Sequence, residues 1–503
     1  MRYLKFPLIL LAGIIVILLA IWFLKPHWLD RRQRNTSDSA SSSEVIHFAG
    51  DGYLGYWFIN SPDMKKQAKE GVEIDFTDDG GNYADRLLKF NEGKYDAIVL
   101  PINSYLQHGA KYDYPGVIVA GISESKGADA ILGFSNIMPN GKVNELDDAK
   151  LKIVYTGQSP SSFLLDLTIS DFDLNSLANT KAWQVEKGSS EEVYEVAAQA
   201  VKNRQYGDVF VMWEPEVSKA IDKLGLKYLW GSDKFAGYIL DVFVFRRDFI
   251  SKKPETVQRF LSTYFSVLQG YHNSANRERM IKEMAKSTRL KEDVVSKMVD
   301  KIDWYNLPRN ATELFGLQMN PSIPARDGLV NSIIACSEVL IKNGDVDQGS
   351  VRDPYRIINS NVLRAMLPTQ PEDQGALAVQ AQAIDFSKVK WGNLSEAGTM
   401  RVEPINFQRG REDLDDYGKE AVDRVATVLV NNYPNFWIMI KGHTGPGDEK
   451  ANKKLSEARA KTVMQRLIAV HNVQPERLKA EGKGNSEIPV RRAGEDNISL
   501  ELR

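Results

Sequence analysis

Two hydrophobic periods alternate through the first half of the chain. The runs EVIHFAG (44–50), GVEIDF (71–76) and YDAIVL (95–100) each read as a strand that closes on glycine or polar residues and leads into a helical stretch such as NYADRLLKFNEG. Further strand-like runs are ADAILGF, LKIVYTG, GDVFVMW and ILDVFVF, separated by amphipathic helices such as SEEVYEVAAQAVKN and KPETVQRFLSTYFSVLQGY. That order predicts α/β organisation with a largely parallel sheet. From about 255 to 366 the pattern is mostly helical and ends in DPYRIINSNVLRAM. A second α/β unit follows: strand VEPINF, a helix from about Leu414 to Asn431, strand FWIMIKG, a helix from about Lys450 to Val470, strand LKAEG and a closing strand ISLEL. In its second helix Leu455, Val463, Leu467 and Val470 share one face by helical spacing. No internal repeat relates the two units.

Ahead of these patterns stands FPLILLAGIIVILLAIWFL, residues Phe6 to Leu24, without a charge. At about 1.5 Å per residue it nearly matches a hydrocarbon core of about 30 Å. Trp22 to Trp28 follow directly, where a cleaved signal peptide would have small residues, so the expectation is a retained single-pass membrane anchor. Lys25, Arg31, Arg32 and Arg34 after the span outnumber Arg2 and Lys5 before it, which alone argues against export of the bulk. NTSDSASSSE (35–44) is too polar to order itself and reads as a tether. The expected domains are an anchor (1–28), a Ser-rich linker (29–44), a large α/β unit (45–366), a second linker (367–395) and a small α/β unit (396–503).

Composition narrows the chemistry. With 64 basic and 66 acidic residues the net charge is -2, so no strong field recommends nucleic acid as a partner. One cysteine, Cys336, in an apolar helical run, excludes a disulfide within the chain and a cysteine-built zinc site, and six scattered histidines give no metal centre. Gly50, Gly52 and Gly55 have the spacing of a dinucleotide fingerprint after a strand, with Asp75 beyond them. Tyr53, Tyr56 and Trp57 around that turn suit the wall of a small-ligand site better than a close approach to pyrophosphate, so no cofactor is expected.

Read in order, the turns DGYLGYW, DDGGNYADRLLKFNEGKYDAIVLPIN, SESKGADAILGF, YTGQSPSSFLLD, VFVMWEP and LDVFVFRRDFISKKPE resemble the periplasmic solute-binding proteins of nitrate, sulfonate and taurine ABC importers, over roughly residues 45–366. The resemblance implies two α/β lobes joined by two crossovers, with ligand clamped between them. Residues 45–124 and 236–366 would form one lobe and 125–235 the other. The first would offer Tyr53, Trp57, Asn82 and Asn103. The second would offer Thr156, Gln158, Ser159 and Ser161 at a helix start suited to an anion, with Trp213, Glu214 and, near the return crossover, Asp241. Glu214 and Asp241 favour an amine or a zwitterion, unless they are ordinary strand-end acids held by backbone donors. No nucleophile and base are singled out by spacing, so binding rather than catalysis is expected.

The pieces VEPINFQRGREDL, YPNFWIMIKGHT, ANKKLSEARAKTVMQRL and AEGKGNSEIP resemble, in order and spacing, the OmpA-like peptidoglycan-binding domain. In that family a carboxylate after the His-Thr pair and an arginine in the following helix hold the two ends of diaminopimelate. Thr444, Asn452 and Arg459 match this pattern, but Gly445 stands where the acid belongs, and the basic pair near the family's end is Ile498-Ser499 here. Asp448 either takes over the acid's role or simply begins the helix.

Together these imply an inner-membrane protein with its bulk in the periplasm, binding a small anion or zwitterion and diaminopimelate-containing peptidoglycan, with an ABC permease or another envelope protein as a further partner. The alternative is an envelope scaffold whose middle module binds a protein. An ion-driven stator is disfavoured, because the apolar span carries no ionisable residue.

Overall fold

In the computed structural model, residues 44–68, 72–271, 273–319, 325–367 and 385–487 are described. The expected anchor, most of the tether, the linker segment 368–384 and the closing strand ISLEL lie outside them. Among the described residues no helix is long and apolar enough to cross a membrane.

Among the described residues eleven strands precede residue 367: β1 (Glu44–Gly50), β2 (Val72–Asp78), β3 (Ala97–Pro101), β4 (Gly116–Ser125), β5 (Asp129–Gly133), β6 (Ile153–Thr156), β7 (Gln184–Lys187), β8 (Val209–Trp213), β9 (Lys227–Gly231), β10 (Leu240–Arg246) and β11 (Ile302–Trp304). They form two sheets, ordered β11-β4-β10-β3-β1-β2 and β7-β6-β8-β5-β9. The chain passes between them twice, after β4 and again between β9 and β10. This is a two-lobed α/β architecture with two crossovers. Central strands such as β3 and β5 are buried along their whole length, because helices cover both faces. Ser125 Oγ lies 2.7 Å from Ser232 Oγ, and Gly127 N donates to Ser232 Oγ, so the two crossovers are tied to each other.

The helices that position the site are α1 (Tyr83–Asn91), α2 (Ile102–Gly109), α3 (Pro160–Asp171) and α4 (Ser190–Lys202), each following a strand, and α5 (Pro254–Tyr271) and α6 (Gly328–Asn343), packed on the first lobe. Cys336 is fully buried in α6, where burial pushes its thiol pKa well up.

The C-terminal unit holds α7 (Asp416–Asn431), β12 (Ile438–His443), α8 (Glu449–His471) and β13 (Leu478–Gly484), with β12 and β13 parallel. Val463 and Leu467 are buried on α8, but Val470, expected on the same face, is exposed. Among the described residues the expected strand VEPINF is not one: its part in pairing is the bridge from Phe407 to Leu414. The chain just upstream is bonded to the second lobe instead. Ala397 O accepts from Val143 N, Arg401 N donates to Asp171 O at 2.6 Å, and Thr399 N donates to Asn144 Oδ1. The linker expected through 395 is likewise structured from 385 onward, where buried Phe386 packs edge-on against Trp437.

Candidate functional site

The two sheets present corresponding edges to each other. In the first lobe β1 and β3 end at Gly50 and Pro101, and antiparallel β10 begins there, with Asp241 opposite Pro101 on one side and Ser123 of β4 on the other. In the second lobe β6 and β8 end at Thr156 and Trp213, and β5 begins opposite, pairing Asp129 with Trp213. Both crossovers leave from these edges. They are the carboxyl ends of the parallel strands, where open α/β sheets bind ligands.

Contacts already cross the gap. His108 Nε2, in α2 of the first lobe, lies 3.2 Å from Gln158 O of the second, and Lys301 Nζ lies 2.5 Å from Glu214 Oε1. Glu214 also accepts from Ser218 N and Oγ, so it caps the following helix while holding a cation from the other lobe. Both of its oxygens therefore have partners within the protein.

Asp241 is buried and accepts from Tyr56 Oη at 2.5 Å and Ser123 Oγ at 3.0 Å. Desolvation lifts its pKa to about 8. Asp129, which sequence reasoning passed over, is also buried, and desolvation lifts it to about 7. The Tyr53 hydroxyl is buried without a hydrogen-bond partner, and Asp241, Asp129, Glu214 and Asp51 all act on it electrostatically. Fully buried Arg86 closes the back of this group by binding Asp51, Asp79 and the Val99 carbonyl.

The helix start at α3 differs from expectation in detail. Ser159 Oγ accepts from Ser161 N and donates to Thr156 O, the Ser162 hydroxyl accepts from Ser159 N, and Pro160 brings no amide hydrogen. The helix thus caps itself. The hydroxyls left without partners are Thr156 Oγ1 and Ser161 Oγ, both buried. Asn103, at the start of α2, is fully buried with both amide atoms unpartnered.

Three other expected residues lie apart from this group. Trp57 Nε1 donates to Ser287 Oγ, Asn82 is an exposed N-cap accepting from Asp85 N, and the Gln158 side chain is exposed, with only its carbonyl meeting the other lobe. Half-buried Trp213 faces Asp129 across the β5–β8 pair.

In the C-terminal unit, Arg459 Nε donates to Arg411 O at 3.0 Å, and the guanidinium lies 4.9 Å over the Phe407 ring. Asp448 is the N-cap of α8, accepting from Ala451 N at 2.8 Å through one oxygen. Asn452 Nδ2 donates to Gly445 O and so fixes the loop, while Thr444 Oγ1 is buried and unpartnered.

Comparison with known proteins bears first on this unit. Residues 406–499 match the model of the OmpA family. The C-terminal unit is an OmpA-family domain. Over 79 residues, 16% of this chain, it is 36% identical to outer membrane protein Omp38 of Acinetobacter baumannii, in two strains. That stretch is 22% of Omp38, so the chain spans about a fifth of this relative. Among solved structures, the periplasmic aliphatic sulphonate binding protein SsuA of Escherichia coli aligns over 64% of this chain and all of its own, at 17% identity and a TM-score of 0.49. The periplasmic nitrate-binding protein NrtA of Synechocystis PCC 6803 aligns over 65% and 91%, at 12% identity and 0.47. The chain joins a two-lobed α/β module to an OmpA-family domain.

The signals missed in the sequence were local. Asp129 looks like the polar start of an apolar strand in ADAILGF, and Lys301 like any helix-end lysine. Only the pairing of β5 with β8, and of β11 with β4, carries them to the cleft.

Proposed function

We propose that this is a single-pass, inner-membrane-anchored periplasmic protein that binds a small anion or zwitterion between its lobes and attaches to peptidoglycan through its OmpA-family domain. We assign it no reaction. The observation carrying the solute-binding reading is the set of buried, unpartnered polar atoms drawn from both facing edges: Tyr53 Oη and Asn103 from one, Thr156 Oγ1 and Ser161 Oγ from the other. Buried polar groups without partners are costly, and a ligand in the cleft supplies what the protein does not. Native mass spectrometry of the purified full chain tests this directly. A non-covalent small molecule lost on denaturation is the expected result; its absence, together with silence in a thermal-shift screen of anions and amino acids, would count against a solute.

For the wall, Arg459 has the fork that a carboxylate needs, and Asn452 holds the loop beside it. The stem peptide containing diaminopimelate is the proposed ligand. The full chain is expected to sediment with purified sacculi, and a chain that stays in solution would refute the attachment. An ABC permease or another envelope protein is the proposed recipient of the solute. A second reading, a scaffold whose middle module binds protein, draws on the Lys301–Glu214 and His108–Gln158 contacts, which join the lobes without a ligand.

A further inference from the structure

Among the described residues, three of the five buried acids of the two-lobed module have a cation beside them: Glu214 has Lys301, Glu124 has Lys126, and Glu216 has Lys219. Asp129 and Asp241 do not: among the described residues neither is in an ion pair, although they are only 4% and 2% exposed. Asp241 is held by the hydroxyls of Tyr56 and Ser123, and Asp129 has the Ser125 hydroxyl. They come from opposite lobes, each at the edge of its sheet that borders the crossovers; Ser123 and Ser125, two residues apart at the end of β4, bond one each, and Asp129 adds to the charge cost of Asp241. The unpartnered Tyr53 hydroxyl belongs to a ring packed edge-on, at 5.4 Å, against Tyr56, whose hydroxyl donates to Asp241.

Two uncompensated carboxylates in one dry cleft repel each other, and their desolvation is recovered only by a cation that hydrogen-bonds to both. The Lys301 ammonium is already engaged by Glu214, so it is not available to them. We infer that the cleft selects a ligand bearing a primary ammonium, seated between Asp129 of the second lobe and Asp241 of the first, with the Tyr53 hydroxyl as a third acceptor. This rests on the solute-binding reading above. The ammonium has three donors, matching the three acceptors offered. The remaining unpartnered groups, Asn103, Thr156 Oγ1 and Ser161 Oγ, are neutral donors suited to an oxyacid at the other end. The ligand class is thus a short amino acid or amino-oxyacid, and because the acids come from different lobes, its ammonium also draws the lobes together.

The test uses matched pairs that differ only by the amine: β-alanine and propanoate, 2-aminoethanesulfonate and ethanesulfonate, 2-aminoethylphosphonate and ethylphosphonate. Each is titrated into the full chain by thermal shift and calorimetry. The amine-bearing member of at least one pair is expected to bind, with its partner weaker by about thirtyfold or more. Asp129→Asn and Asp241→Asn, which keep the shape and can still accept from the neighbouring hydroxyls, are each expected to remove that preference. If the amine-free members bind as tightly, or if binding survives both substitutions, the ammonium inference falls while the solute-binding reading stands. If no member binds and native mass spectrometry finds no small molecule, both fall. The wild-type comparison of pairs does not depend on either variant folding.

Discussion

Asp241 and Asp129 make the ligand-free protein sensitive to pH in a direction that can be worked out. An unfolded Asp titrates near 3.9, whereas burial raises these two to about 8 and about 7. The folded state therefore retains protons that the unfolded state has released, and the stability this brings is complete below about pH 4 and lost as pH rises through 7 to 8. Each unit of separation corresponds to at most about 1.4 kcal/mol. Asp166 and Asp171, raised to about 7 and about 6, act in the same sense, so the informative quantity is the difference between proteins. Asp241→Asn is expected to flatten the fall in Tm between pH 5.5 and 8.5 relative to wild type, measured without added solute; an unchanged slope would mean that Asp241 does not titrate there. In the C-terminal domain, Asp448 already caps α8 through one oxygen, whereas among the described residues the Arg459 fork beyond Nε meets no acceptor. Arg459→Ala is expected to weaken sacculus pelleting at least about tenfold. Asp448→Asn, which still caps, will do the same only if its second oxygen holds the ligand's ammonium. The sequence made Asp241 and Arg459 visible because each sits at a recognisable strand end or helix motif, and it hid Asp129 because a strand's first residue reveals nothing of what lies across the sheet.

The elements differ in how plainly the sequence announced them. β1, β3 and β10 were legible as apolar runs closed by turns, and α7 and α8 as periodic stretches with acids at their starts. β4 was not, although it pairs on both sides, between β11 and β10: GVIVAGISES is buried throughout, so it has no alternation, and Gly121 in its middle leaves room for Leu314 and Asn310. VEPINF forms no strand among the described residues, and its upstream neighbours are bonded to the second lobe, which local pattern does not foretell. The seat of α8 on β12 and β13 depends on close backbone approach. A Cβ on Gly442 would lie 2.1 Å from the Ser456 carbonyl oxygen, and one on Gly482 would lie 2.4 Å from Glu457 N. Neither neighbour is a side chain that can turn aside. Gly442→Ala is therefore expected to lower stability by about 1–3 kcal/mol in urea unfolding, and to weaken sacculus binding because Arg459 rides on the same helix. Gly392→Ala, which meets nothing within 4 Å, is the control and should change neither.

At the scale of the molecule, the OmpA-family domain is seated on the crossover side of the two-lobed module. Asn432, closing α7, exchanges two hydrogen bonds with Ala236 in the return crossover: Ala236 N donates to its carbonyl at 2.7 Å, and its Nδ2 donates to Ala236 O at 3.0 Å. Tyr433 Oη donates to Asp171 Oδ2 at 2.6 Å, and its ring meets Phe172 edge-on, so the same corner also grips the second lobe. Lys142–Glu396 and the bonds from residues 397–401 extend that grip along one side. The first lobe has a smaller share, through α6 against α7. Movement of the second lobe about its crossovers must therefore either carry the C-terminal domain along or break the Asn432–Ala236 exchange, since hinge closure concentrates its backbone change in such connections. Tyr433→Phe removes one hydrogen bond to a buried acid and keeps the ring. It is expected to leave sacculus pelleting unchanged while raising amide exchange at residues 143–144 and 171–172, where the domain meets the lobe. Asn432→Ala should add faster exchange at Ala236. If neither variant alters exchange on the lobe, the two modules move independently; if both do, movement of the second lobe is coupled to the C-terminal domain, and under the proposed function a wall-attached chain opens and closes its cleft against that load.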